Sequence, residues 1–236
     1  MRIAFSGTSC SGKSTTIKHF LERWPTYSLV KSDYRELVKD KKHSKNTNPI
    51  LQKQILDILC SESDKFTAHE KVIYDRCPLD NLIYTMWCYG KGLNGFTEKD
   101  MEYALFKVRQ SMKNFDIIFI CTRDLMPPIQ SNGIREVDAE YVNEIDNIFK
   151  AILSKYKKGV ETLPFFDKDD APAIIDIYGQ PHERIAQIGM YVTDDGDAYG
   201  EDQSLIDINE LAEMNRLVRE QAEEFDKEKK PIIITK

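Results

Sequence analysis

The stretch Gly7-Thr8-Ser9-Cys10-Ser11-Gly12-Lys13-Ser14 decides the fold of this 236-residue chain. It satisfies the pattern G-x-x-x-x-G-K-[ST] in full, which is typical of a phosphate-binding loop. A short apolar run, residues 2–6, precedes the loop, and a helical pattern, residues 13–22, follows it directly. The sequence therefore predicts a strand, a turn and a helix whose main-chain N–H groups surround a phosphate.

Each fixed residue of this loop has a chemical reason for its place. The glycines let the backbone turn back on itself, and the helix that opens at Gly12 adds the positive end of its dipole. Lys13 is expected to bridge the β- and γ-phosphates of a nucleotide, and Ser14 to give Mg²⁺ a hydroxyl ligand. Thr15 is the neighbouring hydroxyl. We therefore expect residues 7–15 to bind ATP together with Mg²⁺.

Composition favours one α/β domain with an appendage. Hydrophobic residues make up 41% of the chain and no apolar run approaches the roughly 20 residues of a membrane helix, so we expect a soluble protein. The apolar run at the N-terminus is too short for a secretory signal. Five cysteines without a CxxC pair predict neither a disulfide framework nor a zinc site, and a cytoplasmic location is expected. The net charge of -6 slightly favours a small substrate over nucleic acid.

Short β-rich runs alternate with longer helical patterns along most of the chain. The runs expected to be strands are residues 2–6, 27–31, 71–75, 116–122 and 173–178. Helical patterns lie between them at residues 13–22, 48–68, 79–89 and 98–112. This repeat predicts a three-layer α/β fold with a doubly wound, parallel, five-stranded sheet.

Two segments interrupt the repeat. Residues 123–137 contain two prolines and a glycine and lead into a further helical pattern, which predicts a helical lid at about residues 123–140. Residues 193–203 are acidic, and a capping-box signature at Ser204 then predicts a C-terminal helix that continues to Leu217. The short tail that follows is a candidate edge strand. We therefore divide the chain into a P-loop domain, residues 1–192, and a C-terminal appendage, residues 193–236.

An Asp-Arg pair, Asp75 and Arg76, ends the third predicted strand. Parallel strands end at the same edge of the sheet, so this pair is expected beside the phosphate loop. Asp75 can hold Mg²⁺ through water, and Arg76 can bind a phosphate or sugar oxygen with two hydrogen bonds. The alternative interpretation is an ordinary ion pair at a strand end.

The second predicted strand ends in Lys31-Ser32-Asp33-Tyr34-Arg35, at the edge where an acceptor would lie. Asp33 can accept the proton of an attacking hydroxyl while Arg35 positions the substrate. Alternatively, Ser32 or Asp33 caps the next helix. A phosphate acceptor would need no base, because its oxygen is already anionic.

Arginines at both ends of the proline-rich segment are candidates for charge stabilisation. Closure of the lid would bring Arg135 onto the transferring group and exclude water, and Arg123 is a second candidate. For both, the alternative is a solvated arginine on a helix.

Three aromatic residues on the third helical pattern, residues 79–89, allow another interpretation. Tyr84, Trp87 and Tyr89 could stack a base. Their spacing on an apolar helix favours a place in the core instead.

The chain resembles the P-loop nucleotide and nucleoside kinases, the group of thymidylate kinases and deoxynucleoside kinases, with phage relatives such as 5-hydroxymethyluracil DNA kinases. The resemblance covers residues 1–192 and rests on four motifs: Gly7 to Thr15, Asp75-Arg76-Cys77-Pro78, Asn132 to Arg135 with Asp138, and Ile177 to Pro181. Kinases of this group often stack adenine against the loop after the last strand. The resemblance therefore implies a kinase domain with ATP bound near Gln180.

The resemblance implies an ATP- and Mg²⁺-dependent kinase that transfers the γ-phosphoryl group to a nucleotide or nucleoside. Lys13 and Arg135 would stabilise charge, Arg35 and Arg76 would hold the acceptor, and Asp33 would be the base. One alternative is a phage-type DNA kinase that phosphorylates a hydroxyl of a modified base or an end in DNA. Another is a nucleotide-driven ATPase switch. The expected partner is thus a nucleotide-like small molecule or modified DNA, and no membrane is involved. The expected location is the cytoplasm, which is that of the host if the protein is phage-encoded. A homodimer is one open alternative for the oligomeric state.

Overall fold

The computed structural model describes residues 1–38, 47–93, 95–124, 138–157, 172–198, 213 and 215–220. The strands are β1 (Arg2–Ser6), β2 (Ser28–Leu29), β3 (Val72–Asp75), β4 (Ile117–Cys121) and β5 (Ala173–Ile177). The helices are α1 (Lys13–Arg23), α2 (Tyr34–Val38), α3 (Pro49–Ser63), α4 (Pro78–Gly90), α5 (Glu98–Ser111), α6 (Ala139–Lys157) and α7 (Pro181–Ile188). A short 3₁₀ turn, Met112–Asn114, precedes β4.

The strands form one parallel sheet in the order β2-β3-β1-β4-β5. The sheet confirms the predicted five-stranded parallel arrangement, and β1 lies at its centre. The edge strand β2 is shorter than predicted, with two exposed residues paired to β3 alone. An edge strand is stabilised on one side only, so it ends sooner than the buried strands do.

Side chains of the buried strands alternate between two apolar cores, one on each face of the sheet. Ile3 and Phe5 point into the core beneath α1 and α7, whereas Ala4 points into the larger core beneath α3 to α6. Helices therefore cover both faces, as expected of a parallel sheet. This confirms the three-layer architecture.

Helix α7 was not predicted from the sequence, and α2 was predicted only as the helix that Ser32 or Asp33 would cap. The short α2 begins just after Asp33, and α7 begins at Pro181, directly after the loop that follows β5. Helix α7 has a proline at its first position and a capping box between Gln180 and Glu183. Because α7 follows the edge strand β5 and packs against α1, it connects that edge of the sheet to the helix that begins at the phosphate loop.

Most of the predicted lid, residues 125–137, lies outside the described part of the chain, as does the predicted C-terminal tail. Of the predicted C-terminal helix, residues 215–220 are described and helical. Arg219 from this helix pairs with Asp124 and Asp176 near the carboxyl ends of β4 and β5. All five cysteines are free thiols. Among the described residues, no helix combines the length and apolarity that crossing a bilayer requires.

Candidate active site

The loop between β1 and α1 makes its turn through two glycines in the left-handed or neighbouring region of backbone space. Gly7 has a φ of +134°, and a Cβ built there would lie 2.5 Å from the Cys121 carbonyl oxygen of β4. Gly12 has a φ of +81° and is the N-cap of α1. Only glycine fits the close approach at position 7, so the loop lies directly on the end of the sheet.

The Lys13 side chain lies inside this loop. Its ammonium group donates hydrogen bonds to the carbonyl oxygens of Gly7 at 2.6 Å and Thr8 at 2.5 Å, with the Ser11 hydroxyl at 3.3 Å. Burial, followed by the nearby Arg76, lowers the pKa of Lys13 to about 8, and the Asp80 carboxylate opposes that shift. Lys13 is thus a buried cation, and an anion that enters the loop would raise its pKa again.

Two arginines hold the outer side of the loop. Arg123, just beyond β4, donates from Nη1 to the Cys10 carbonyl at 2.5 Å. Arg184, on α7, donates from Nη1 to the Ser11 carbonyl at 2.5 Å. Sequence reasoning found Arg123 and missed Arg184, because Arg184 belongs to a helix that the sequence pattern did not predict.

The Asp-Arg pair at the end of β3 lies beside the loop, as predicted. Asp75 is half-buried and pairs in register with Phe5, two residues before Gly7. Arg76 has a φ of +92°, which a non-glycine residue rarely adopts, and its Nη1 donates to Asp80 Oδ1 at 3.0 Å. The ion-pair partner of Arg76 is therefore a buried carboxylate on α4.

Asp80 joins the phosphate loop to Arg76 and was not identified from the sequence. Its Oδ2 accepts from the Ser6 hydroxyl at 2.6 Å and from the Cys77 amide at 3.1 Å, while its Oδ1 accepts from the Gly7 amide at 3.2 Å. Asp80 is 1% exposed. One buried carboxylate thus fixes the start of the phosphate loop and the arginine that faces it.

The turn after β2 is held by a buried acid on α3. Glu62 accepts hydrogen bonds from the Ser32 hydroxyl at 2.6 Å and from the Asp33 amide at 2.8 Å. The Asp33 carbonyl accepts from the amides of Glu36 and Leu37 in α2, whereas the Asp33 side chain is exposed. Asp33 therefore begins α2 through its main chain and leaves its carboxylate to solvent. Arg35 lies in α2, and its side chain falls outside the described part of the structure, as does the whole of Arg135.

A buried amide pair lies between α3 and α4. Asn81 Nδ2 donates to the Gln52 side-chain oxygen at 2.6 Å, and Gln52 Nε2 donates to the Thr47 hydroxyl at 2.8 Å. The side-chain oxygen of Asn81 is buried, and none of the residues that the structure describes donates a hydrogen bond to it. The pair lines a small pocket with Phe96 and Tyr103. Sequence reasoning missed it, because Gln52 and Asn81 meet only in the folded chain.

The three aromatic residues of α4 occupy different environments. Trp87 is buried in the core, with its indole N–H donating to Glu144 at 2.8 Å. Tyr89 is exposed on the surface. Tyr84 lies at the site: its hydroxyl is 3.4 Å from Ser9 Oγ, and the Arg76 guanidinium lies 5.5 Å from its ring centroid.

The loop after β5 leads into α7, which contacts the phosphate loop through Arg184. Gln180 is exposed, and its amide donates to the Glu183 carboxylate at 2.5 Å. One turn further along α7, Arg184 reaches the phosphate loop itself. Ser14 and Thr15 are exposed at the start of α1, on the open side of the loop.

Comparison with known proteins agrees with this geometry. Residues 2–167 match the family described as AAA domain. The fold is similar to that of thymidylate kinase from Candida albicans, with a TM-score of 0.54, 15% identity, and coverage of 79% of this chain and 88% of that one. It is also similar to deoxyadenosine kinase from M. mycoides with bound dATP, with a TM-score of 0.56, 18% identity, and coverage of 80% and 97%.

No curated protein matches the sequence. Identities of 15% and 18% establish a shared fold with these two kinases and nothing finer. The family match spans more than half of the chain and includes the phosphate loop, Asp75 and Arg76. This protein therefore belongs to the AAA domain family.

Proposed function

We propose that the protein is a kinase that uses ATP and Mg²⁺ to phosphorylate a nucleotide or nucleoside. The observation that carries this proposal is the position of Asp80, which accepts hydrogen bonds from both the Gly7 amide of the phosphate loop and the Arg76 guanidinium. The loop would bind the phosphates of the donor, and the arginine fixed beside it would bind a phosphate or sugar oxygen of the acceptor. This arrangement suits transfer of a phosphoryl group from one to the other. The fold shared with two kinases supports the same activity.

On the donor side, the chain supplies cations and main-chain amides. Lys13 would give up its hydrogen bonds to the Gly7 and Thr8 carbonyls and bind β- and γ-phosphate oxygens instead. The phosphates would keep its ammonium group fully charged. The loop after β5, with Gln180, would contact the adenine. Arg135 would approach the transferring group from the predicted lid, within the proposed kinase domain of residues 1–192.

The residues present fit a magnesium site at the rim of the loop. Ser14 offers an exposed hydroxyl and Asp75 a half-buried carboxylate, and both are oxygen ligands that Mg²⁺ prefers. In the described residues no group of three or more His, Cys, Asp or Glu side chains could enclose a metal. Mg²⁺ commonly keeps several waters and shares phosphate oxygens, so two protein ligands suffice. When bound, the ion would neutralise charge on the transferred phosphoryl group.

On the acceptor side, Arg76 and Arg35 would bind the acceptor while Asp33 accepts the proton of an attacking hydroxyl. The exposed Asp33 carboxylate is available for that role, because its main chain alone begins α2. The amide pair of Gln52 and Asn81 supports a nucleobase-like acceptor, since amides offer both donors and acceptors to a base edge.

The proposal is tested by supplying labelled ATP with deoxynucleosides, deoxynucleotides, plain DNA, hydroxymethylated DNA, or no acceptor. We expect label on a free nucleoside or nucleotide. Label that appears only in DNA would overturn the small-acceptor assignment and favour the DNA kinase. Hydrolysis that a protein partner stimulates, with no labelled acceptor, would favour the ATPase switch.

Asp33→Asn distinguishes the two kinds of small acceptor. Transfer to a hydroxyl needs a base, so the variant should lose on the order of a hundredfold in turnover. Transfer to a phosphate needs none, so that rate should stay unchanged.

A further inference from the structure

Arg184 is a buried cation whose position packing alone does not explain. It is 1% exposed, and among the described residues it has no carboxylate within ion-pair distance. Its Nη1 and Nη2 groups donate to the carbonyls of Ser11 at 2.5 Å and Thr122 at 2.7 Å, and no described residue accepts a hydrogen bond from its buried Nε. A buried charge without a counterion is costly. The hydrogen bonds to main-chain carbonyls must offset that cost.

The contact with Ser11 bears directly on how the phosphate loop binds. In a trans peptide the C=O of one residue and the N–H of the next point in opposite directions. The guanidinium draws the Ser11 carbonyl to the outside of the loop, so the Gly12 N–H is turned towards the inside. Arg123 acts in the same way on the Cys10 carbonyl, which turns the Ser11 N–H inward.

The same side chain connects the loop to helix α7. Arg184 Nη1 also lies 3.4 Å from the Thr16 hydroxyl, which donates to the Gly12 carbonyl at 3.1 Å. At its other end, the Arg184 amide donates to the carbonyl of Gln180, the N-cap of α7. The first turn of α7 thus runs from the loop after β5 to the phosphate loop.

We propose that Arg184 is a positioning residue that holds the phosphate loop in its anion-binding shape from outside. Through α7 it joins this loop to the Gln180 segment. The inference rests on the proposed function in taking the ligand to be a nucleotide. The preformed anion site itself does not depend on what the acceptor is.

Calorimetric titration of the full chain with tripolyphosphate and with ATP tests the role of Arg184. Arg184→Met removes the hydrogen bonds that this side chain donates to the loop, and we expect an affinity about tenfold to a hundredfold lower for both ligands. Arg184→Lys keeps the charge but cannot reach both carbonyls in the same geometry, so it should bind with intermediate affinity. Arg23→Met, the same substitution at an exposed arginine of α1, should leave the affinity unchanged.

Stoichiometry separates positioning from folding. A variant that merely folds less well would bind at fewer sites with the wild-type dissociation constant, and that result in both variants would overturn the proposal. Full stoichiometry with weaker binding is expected. Unchanged affinity of both variants, in a protein that phosphorylates an acceptor, would overturn the proposal and leave the kinase standing. Wild-type protein that binds ATP but labels no acceptor would overturn the kinase, while the variant affinities would still decide the role of Arg184.

Discussion

The two ends of the candidate site are held in different ways. The phosphate loop, residues 7–14, is fixed by Lys13 from inside and by Arg123 and Arg184 from outside. At the turn after β2, one buried carboxylate, Glu62, accepts hydrogen bonds from Ser32 and Asp33, and the Asp33 side chain is exposed. A site for phosphates can be rigid, because the phosphates of every nucleotide are alike. The acceptor site can change in sequence when one side chain holds its turn. Such a change leaves the rest of the fold undisturbed.

The largest effect should come from removing the cation inside the phosphate loop. Lys13→Met keeps the length and apolar part of the side chain but removes the charge that, in the proposed kinase, would stabilise the transferring phosphoryl group. We expect turnover to fall on the order of a thousandfold, measured as transfer of label from ATP. Retained turnover would contradict the donor site.

Lys18→Met is the matched control for that substitution. Lys18 is on the same helix, and its exposed side chain forms a long ion pair with Glu22 at 3.9 Å. Its turnover should equal that of the wild type. Circular dichroism should show that both variants are folded at the assay temperature.

The next effect concerns the carboxylate that joins the loop to Arg76. Asp80→Asn leaves Arg76 without its charged partner and removes an acceptor from Ser6, Gly7 or Cys77. Breaking a buried pair by neutralising one partner should lower the free energy of unfolding by about 3 kcal/mol, measured by urea denaturation.

Asp100→Asn provides a close comparison, because Asp100 also occupies the third position of a helix with a capping box. Its ion-pair partner, Lys53, is 42% exposed, so solvent screens the interaction and we expect a loss of only about 1 kcal/mol. Equal losses in the two variants would show that Asp80 does no more than cap α4.

The contrast between the two ends also explains what the sequence could predict. The five strands of the sheet and the phosphate loop follow from local patterns: apolar runs, a glycine-rich turn and the helix after it. Asp75 and Arg76 could be predicted because parallel strands end at one edge. Helix α7 was missed because its start signal, Pro181 with Glu183 two residues later, is short and follows the loop with Gln180 directly.

The contacts that sequence reasoning missed join residues far apart in the chain. Glu62 meets the β2 turn 29 residues away, and Arg184 meets Ser11 across 173 residues. No local pattern marks such pairs, because Glu62 and Arg184 by themselves look like ordinary residues of amphipathic helices. Residue types at strand ends thus predicted which side chains lie beside the phosphate loop. They did not predict which buried groups hold those residues in place.

A smaller and more selective effect should follow from Glu62→Gln. The variant keeps one oxygen acceptor but loses the charge and one of the hydrogen bonds from Ser32 and Asp33. Because this carboxylate holds only the acceptor end, KM for the acceptor should rise about tenfold while KM for ATP stays unchanged.

Glu22→Gln, an exposed glutamate of α1, serves as the control and should change neither constant. A parallel rise of both KM values in Glu62→Gln would mean that the two ends are coupled. The contrast between a fixed donor end and a singly held acceptor end would then be lost.

The smallest effect is a pH dependence of nucleotide binding that comes from Lys13. Burial, with Arg76 adding to it, lowers the pKa of Lys13 to about 8, so the free protein loses this proton as the pH rises through that value. A bound phosphate favours the charged form and raises the pKa, so binding above this pH must take up a proton. Between pH ~7.5 and ~9, the affinity for ADP without magnesium should therefore fall about eightfold.

Calorimetry in two buffers with different ionisation enthalpies measures the proton uptake directly. Uptake should be small at pH ~7.5 and approach one proton per ADP at pH ~9, because Lys13 is then mostly neutral before binding. Lys13→Met, which has no group to titrate, should bind weakly at both pH values with no such uptake. Equal uptake in the variant would place the titrating group elsewhere. A wild-type protein without uptake would mean that Lys13 stays charged when the loop is empty, and that the loop carbonyls and Asp80 offset its burial fully.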